Sequence, residues 1–279
     1  MERIRQYTAA IVQMDSRNDK AENVRRACAF VDEAAANGAR LVCFPENMDL
    51  CGRYAGEGGD RETLPGYTTE RLAAKAREHG IYIHAGSLRE LIPGDERVYN
   101  TSVLLDPEGR IVATDRKLHT FDATLPDGSV QNESEWIRPG DRIVTADTAL
   151  GRLGLSICYD LRFPELYRIM ALSGAEVMLI PANFTKPTGR DHWEVLLRAR
   201  AIENGCYVLA ADQVGQKPHF VAYGNSMAAD PWGRVIARAG EEPGIIYARI
   251  DLDGVASARR RIPSLQNRRS DVYELKTTD

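Results

Sequence analysis

Short apolar runs of strand length alternate with segments of helical periodicity along the whole chain. The run Thr8–Met14, for example, precedes a helix predicted over Glu22–Asn37, which Gly38 ends, and Leu41–Phe44 is the next apolar run. Such alternation is typical of α/β proteins, in which helices cover a sheet. A chain of 279 residues is long enough for two small domains, but no repeat or linker interrupts the pattern. We therefore predict a single domain over residues 1–279.

The same pattern predicts the remaining elements. Further helices are expected over Thr69–His79, Pro164–Ser173 and Trp193–Asn204. Further strands are expected over Ile81–Gly86, Ile143–Thr145, Leu153–Ile157, Val177–Ile180, Tyr207–Ala211 and Ile245–Ile250. Two hairpins with Asp-Pro-x-Gly turns are predicted, joining Tyr99–Leu105 to Arg110–Thr114 and Gly224–Ala229 to Val235–Arg238. Because hairpins add antiparallel strands, the sheet is expected to be mixed.

The composition limits the classes of function. The formal net charge of −4 and the scattered acidic residues make nucleic acid an unexpected partner. No stretch approaches the roughly 20 apolar residues that span a bilayer, and the first residues resemble no export signal. The five cysteines form no CxxC pair and are odd in number, which is typical of free thiols in a reducing compartment. We therefore expect a cytoplasmic protein.

Three reactive side chains follow predicted strands. Glu46, Lys117 and Cys158 each lie just beyond an apolar run, and Lys117 precedes the long polar segment 118–142. Open α/β sheets form their ligand crevice at the carboxyl ends of strands. A cysteine at a strand-to-helix junction lies near the positive end of the helix dipole, which favours the thiolate. This placement suits a nucleophile, and a long segment without periodicity is usually functional or mobile.

Each of these residues also has a structural explanation. Cys158 can be a small buried apolar residue, Glu46 a helix cap and Lys117 a solvated charge. The five histidines raise the alternative of a Cys–His hydrolase, but no cysteine-protease signature surrounds Cys158. The sequence has no HExxH, paired Cys/His, GxGxxG or P-loop pattern, so neither a metal nor a nucleotide is expected.

Three motifs around the reactive residues carry a resemblance to a known family. They are Phe44-Pro45-Glu46, Arg116-Lys117-Leu118-His119 and Ile157-Cys158-Tyr159-Asp160-Leu161-Arg162-Phe163-Pro164-Glu165. Their order and approximate spacing resemble the Glu–Lys–Cys signature of the nitrilase superfamily of carbon–nitrogen hydrolases. The likeness extends from about Tyr7 to Tyr273. It is closest to the Nit branch, the deaminated glutathione amidases and ω-amidases, and more similar to the former over residues 192–211.

The resemblance implies a fold and an assembly. The expected fold is an α/β four-layer α-β-β-α sandwich with mixed sheets. The expected assembly is a homodimer or a higher homo-oligomer that extends the sheets, without a cofactor. Residues 262–279 form a tail with no obvious partner within the chain, and we predict that this tail packs at a subunit interface.

The resemblance also implies catalytic roles. Cys158 is expected to be the nucleophile, Glu46 the general base and Lys117, ion-paired with Glu46, the stabiliser of the oxyanion together with the backbone N–H of Tyr159. Glu133 corresponds to the second glutamate of the family and is expected to orient Lys117 or the leaving group.

The expected substrate is a small amide that carries a carboxylate and resembles deaminated glutathione, with ammonia or an amine as a product. Arg162 is expected to bind the carboxylate, and His119 and His192 to line the pocket because of their positions in the sequence. The alternatives are an ω-amidase acting on α-ketoglutaramate-type substrates, an N-carbamoyl amidohydrolase and a nitrilase. A catalytically idle binding protein on the same fold is an alternative of a different class.

Overall fold

Two six-stranded sheets form the centre of the structure, a computed structural model that describes residues 3–52, 61–124, 128 and 130–277. The first sheet contains β1 (Gln6–Gln13), β2 (Ala39–Cys43), β3 (Tyr82–Leu91), β4 (Val98–Leu105), β5 (Ile111–Arg116) and β16 (Gly244–Asp251). The second contains β8 (Val144–Thr148), β9 (Gly151–Leu155), β10 (Val177–Ala182), β11 (Tyr207–Asp212), β14 (Met227–Ala229) and β15 (Val235–Arg238). Two short antiparallel pairs are β6 (Asp122–Thr124) with β7 (Val130–Asn132) and β12 (Val214–Gln216) with β13 (Val221–Tyr223).

The helices lie between these strands in the chain. They are α1 (Lys20–Ala36), α2 (Tyr67–His79), α3 (Pro164–Leu172), the single turn α4 (Lys186–Thr188), α5 (Glu194–Asn204) and α6 (Leu252–Arg261). Helix α1 begins where Asp19 accepts a hydrogen bond from the Glu22 N–H, and α5 ends at Gly205 in the left-handed conformation, φ +55°. Helix α1 thus begins two residues before the predicted start at Glu22, whereas α5 ends at Asn204 as predicted.

The two sheets share one topology. The first has the order β16-β1-β2-β3-β4-β5 and the second the order β15-β14-β11-β10-β9-β8. Each sheet contains three parallel strands, which are β1, β2 and β3 in the first sheet and β9, β10 and β11 in the second. Antiparallel strands flank these three on both sides. The predicted mixed sheets are therefore confirmed. Parallel strands need a crossover connection, which explains the helix between each consecutive pair.

Three apolar clusters hold four layers together. Ile11 of β1 and Leu179 of β10 point into the cluster between the two sheets. The next residue of β1, Val12, points to α1 and α2, whereas Ile180 of β10 points to α3 and α5. Because successive side chains of a strand face opposite ways, each central strand buries both faces. The result is the expected α-β-β-α sandwich.

The segment 118–142 departs from the prediction. It contains the short pair β6 and β7 and a 3₁₀ turn over Glu133–Glu135, although residues 125–127 and 129 lie outside the described part of the chain. Its strands have three residues each, too few to produce a periodic signal. Within the described residues, no helix has the length and apolar character needed to cross a membrane.

Candidate active site

One cavity of about 650 Å³ opens where both sheets present the carboxyl ends of their parallel strands. Glu46 follows β2 and Cys158 follows β9, one from each sheet, and Lys117 follows β5. All three line the cavity together with Glu133, and we call these four residues the floor. The floor therefore combines residues that are far apart in the sequence.

Lys117 is the centre of the charge arrangement on the floor. Its Nζ donates to Glu46 Oε1 at 3.0 Å and to the two carboxylate oxygens of Glu133 at 2.9 and 2.8 Å. Burial alone would lower the pKa of Lys117, but the charges of Glu133 and Glu46 raise this pKa well above its ordinary value. The ammonium is thus held charged in a buried position. The predicted ion pair with Glu46 is present.

Cys158 is held in a strained turn. Its φ is +50°, a conformation that few residues other than glycine adopt, and it begins a 3₁₀ turn over Cys158–Arg162. Burial raises the pKa of the thiol, and the Glu46 carboxylate raises it further. The Lys117 ammonium and the Asn183 N–H lower this pKa, but it still lies well above its ordinary value. This direction favours the protonated thiol, opposite to the thiolate that a helix dipole alone would favour. Helix α3 begins at Pro164, as predicted, and the 3₁₀ turn over Cys158–Arg162 lies between the sulfur and the end of its dipole.

Contacts from the second sheet hold the backbone of Glu46. Its N–H donates to the Ala182 carbonyl at 3.3 Å, and its carbonyl accepts from Gln213 Nε2 at 2.9 Å. On the side chain, Oε1 also accepts from Asn100 Nδ2 at 2.8 Å. Glu46 is only 2% exposed, so these contacts compensate for its removal from water.

Asp160 connects the cysteine turn to the segment after Lys117. It accepts from the Ile157 N–H at 3.0 Å through one oxygen, and from the backbone N–H and Nδ1 of His119 at 3.0 and 2.7 Å through the other. The His119 ring stacks on Phe163 with 3.5 Å between the ring centroids. His119 thus packs behind the cysteine turn.

The entrance of the cavity differs from the floor. Four residues that line it, Val130, Trp136, Tyr159 and Arg162, form what we call the mouth. Val130 and Trp136 are 61% and 46% exposed. The Arg162 guanidinium lies over the rings of Tyr159 and Phe184 and donates to His192 Nδ1 at 3.1 Å, but it pairs with no carboxylate of the described residues. A cation without a carboxylate partner is available to bind an anionic ligand.

The structure brings together most, but not all, of the predicted site residues. Glu46, Lys117, Glu133 and Cys158 meet on the floor, and Tyr159 and Arg162 line the mouth. Two predicted residues do not line the cavity. His119 packs behind the cysteine turn, as described above, and His192 Nδ1 accepts from the Arg162 guanidinium. Proximity in sequence to Lys117 was therefore a poor guide to the position of His119, because the chain turns back toward Phe163.

Three further residues support the floor and were not predicted. Asn100 and Gln213 hold Glu46, and the Asn183 backbone N–H contacts the Cys158 sulfur. Asn183 and Gln213 directly follow β10 and β11, which is the signal that identified Glu46 and Cys158, whereas Asn100 lies near the start of β4. Neutral amides carry no chemical signature of catalysis, however, so the sequence offered no reason to select them.

The described residues contain one group of side chains that could hold a metal ion, Asp32, Glu78 and His79. The Lys75 ammonium donates to Asp32 at 2.8 Å and to Glu78 at 2.9 Å, so a cation already occupies the centre of this group. None of these side chains lines the cavity. The group fits an ion-pair network on the surface of α1 and α2.

Comparison with known proteins identifies the family of the chain. Residues 8–260 match the family described as Carbon-nitrogen hydrolase. The omega-amidase NIT2 of Homo sapiens is 40% identical over 270 residues, with 96% of each chain covered. The deaminated glutathione amidase of Synechocystis sp. is 41% identical over 268 residues, which cover 94% of this chain and 98% of that protein. The crystal structure of the C. elegans NitFhit protein has a TM-score of 0.91 at 37% identity and matches 100% of this chain and 68% of that chain. The chain therefore belongs to the carbon–nitrogen hydrolase family.

Proposed function

We propose that the chain hydrolyses the amide of a small carboxylate-bearing molecule, similar to deaminated glutathione, through a thioester on Cys158. The observation that carries this proposal is the convergence of Glu46, Lys117 and Cys158 in one buried cavity, with 2, 2 and 9% exposure. A carboxylate base, a fixed cation and a thiol are the groups that acyl transfer through a covalent intermediate needs.

In the acylation step, Glu46 accepts the Cys158 proton as the sulfur attacks the amide carbon. The raised pKa of the Cys158 thiol fits this order, because the thiolate then forms only when a substrate is in place to accept its charge. The Lys117 ammonium and the Tyr159 backbone N–H stabilise the oxyanion. Glu133, whose two oxygens accept from Lys117, orients the ammonium rather than the leaving group.

In the second half of the reaction, the tetrahedral adduct collapses and Glu46 returns the proton to the leaving nitrogen. Ammonia or an amine departs. Glu46 then activates a water molecule that hydrolyses the thioester and restores the thiol. The burial of the floor strengthens each electrostatic contact in these steps.

The mouth suits a substrate longer than a simple amide. Trp136 and Val130 offer apolar surface, and Arg162 offers a cation without a carboxylate partner among the described residues. A molecule with an amide at one end and a carboxylate at the other can place its amide at Cys158 and its carboxylate at Arg162. This arrangement favours an anionic amide over a neutral one.

The test compares kcat/KM for deaminated glutathione, α-ketoglutaramate, a carbamoyl amino acid and a simple nitrile by release of ammonia. We expect deaminated glutathione to react fastest. Intact mass and peptide mapping of protein quenched during turnover should show an acyl adduct on Cys158 and not on Cys206, a buried cysteine outside the cavity. No ammonia from any of the four compounds, and no adduct, would leave the idle binding protein as the remaining explanation.

An ω-amidase acting on α-ketoglutaramate-type substrates is the second candidate. The observation in its favour is the human omega-amidase NIT2, which is 40% identical over 96% of this chain. This candidate replaces the first if α-ketoglutaramate gives the higher kcat/KM. N-carbamoyl amidohydrolase and nitrilase activity are tested by the other two compounds in the same panel.

We also propose a homodimer. Apolar side chains are exposed beside the start of the C-terminal tail, where Ile202, Trp232 and Ile262 line a surface cavity of about 230 Å³. Val272 and Tyr273 in the tail are 68% and 54% exposed. Light scattering during size exclusion should give twice the chain mass, and Ile262→Glu should reduce it. A monomer mass for the wild type at micromolar concentration would contradict the proposal.

A cytoplasmic location is proposed on the basis of the cysteines. All five are free thiols, and none forms a disulfide. Fractionation of the native host with an antibody against the protein tests this location. Recovery mainly from the medium or an exported fraction would contradict it.

A further inference from the structure

Asn100 on β4 places a neutral amide beside the proposed base. The side chain is 1% exposed, and its Nδ2 donates to Glu46 Oε1 at 2.8 Å. The same oxygen accepts from Lys117 Nζ at 3.0 Å, so Oε1 has two N–H donors. The other oxygen, Oε2, receives no N–H from the described residues. The two oxygens of Glu46 are thus in different environments.

We infer that Asn100 is a positioning residue that assigns separate tasks to the two oxygens of Glu46. Oε1 is fixed by Asn100 and Lys117, and Oε2 alone exchanges protons during the reaction. This inference rests on the proposed function. It adds a residue that no motif in the sequence selected.

The proton balance fits this division at every step. Oε2 takes the proton of the Cys158 thiol as the S–C bond forms and the carbonyl electron pair moves to the oxygen. It gives that proton to the nitrogen as the C–N bond breaks. It then takes a proton from water as the O–C bond forms, and returns it to the sulfur as the S–C bond breaks. Throughout the cycle Oε1 remains an acceptor, first as part of the carboxylate and then as the carbonyl oxygen of the acid, so neither donor has to move.

Asn100 also connects the base to the cation through the backbone. Its carbonyl accepts from the Lys117 N–H at 2.9 Å, so one residue fixes the Glu46 carboxylate and the start of the Lys117 segment. Its own Oδ1 is buried without a hydrogen-bond partner. The amide therefore acts on the site through Nδ2. Because Oδ1 makes no hydrogen bond, it gives the Asn100 amide no separate structural role.

The test replaces Asn100 with leucine, which has a similar volume and no donor. Asn204→Leu is the matched control, because Asn204 is equally buried, also has an Oδ1 without a partner and lies at the end of α5 outside the cavity. We expect Asn100→Leu to lower kcat about 10- to 100-fold, the range for one hydrogen bond to a charged group, with little change in KM. The acid limb of kcat/KM should also move to higher pH, since the ionised form of the base loses a donor. Asn204→Leu should change neither quantity.

A second variant, Asn100→Asp, keeps the shape of the amide. Its carboxyl can donate to Oε1 only when protonated, and as a carboxylate it repels Glu46. The activity of Asn100→Asp relative to Asn100→Leu should therefore increase as the pH falls from about 8 to about 6. This ratio is measurable even if both variants are less stable than the wild type, provided that each is compared as folded protein by circular dichroism.

Three outcomes would overturn the inference. They are a normal kcat in both Asn100 variants, a raised KM with normal kcat, and a pH-independent ratio of the two variants. Failure of the proposed function looks different, because the wild type itself would then release no ammonia and form no adduct on Cys158.

Discussion

The floor and the mouth of the cavity differ in exposure and in the pairing of their charges. The floor is 2% exposed at Glu46 and Lys117, every charge there has a partner, and Cys158 has a strained backbone. At the mouth, Val130 is 61% exposed and Arg162 has no carboxylate partner among the described residues. Buried, fully paired groups cannot adapt to different ligands, whereas exposed groups can. We therefore expect floor substitutions to change kcat and mouth substitutions to change KM and the choice of substrate.

The largest effect is expected at the sulfur. Cys158→Ala removes the nucleophile and should lower kcat by about 10⁴-fold or more, as is usual when a covalent catalyst is lost. The measurement is ammonia release from the preferred amide. Cys206→Ala, a buried cysteine in the second sheet region, should keep normal activity. Near-normal turnover of Cys158→Ala would remove the basis for treating the floor as catalytic.

Lys117→Met keeps the length of the side chain and removes its charge. We expect kcat to fall about 10²- to 10³-fold, since one oxyanion donor is lost. We also expect a loss of about 3–5 kcal/mol in the free energy of unfolding, because Glu46 and Glu133 would face each other without the cation. Urea denaturation measures the second effect. A variant that lost activity without losing stability would show that the ion pairs of the floor contribute less to the fold than their burial implies.

The resting protonation state gives a pH-dependent prediction. Because the pKa of Cys158 is raised above its ordinary value of about 8.5, the thiolate fraction should increase about 10-fold per pH unit between about pH 7 and pH 9. The rate of alkylation of Cys158 by iodoacetamide, followed by mass spectrometry in a Cys51→Ser background, should increase in parallel. A rate already constant at pH 7 would mean that the floor holds a thiolate at rest.

Arg162→Gln tests the mouth. The change should raise KM about 10-fold for anionic amides and leave KM for neutral amides and kcat near normal, because only the charged hydrogen bonds are lost. Arg198→Gln is the control, since Arg198 is a surface residue that binds Glu194 and the Gly233 carbonyl. Equal effects on anionic and neutral amides would remove the reason for placing a carboxylate at Arg162.

The smallest effect is expected for Trp136→Ala. Loss of apolar contact at a half-exposed position should raise KM about 3-fold for a long substrate such as deaminated glutathione and leave α-ketoglutaramate unchanged. Steady-state kinetics with both amides measures this difference. The same change in KM for both would show that the long substrate does not extend as far as the mouth.

Local sequence patterns were reliable for most of the fold. The hairpin predicted for Tyr99–Leu105 with Arg110–Thr114 corresponds to β4 and β5, and the helix predicted over Pro164–Ser173 corresponds to α3. These elements depend on turn residues, caps and periodicity, which act over a few neighbouring positions. The pair β6 and β7 was missed because three-residue strands carry no period.

The site was predictable where its residues are chemically distinctive. The three motifs and their resemblance to a known family identified Glu46, Lys117 and Cys158, and all three line the cavity. Positions judged by nearness in sequence were less reliable, since neither His119 nor His192 lines the cavity. Asn100 was missed because a neutral amide in a strand has no motif of its own.

The sequence alone determined the succession of strands and helices, because this order depends on adjacent residues. It also showed that a carboxylate, an ammonium and a thiol each follow a strand. Contacts between distant positions cannot be read in this way. Lys117 and Glu46 are 71 residues apart, and their 3.0 Å contact exists only because the strands that precede them belong to one sheet. The protonation of the Cys158 thiol likewise depends on burial and on the Glu46 charge, two quantities that arise when the two sheets pack together.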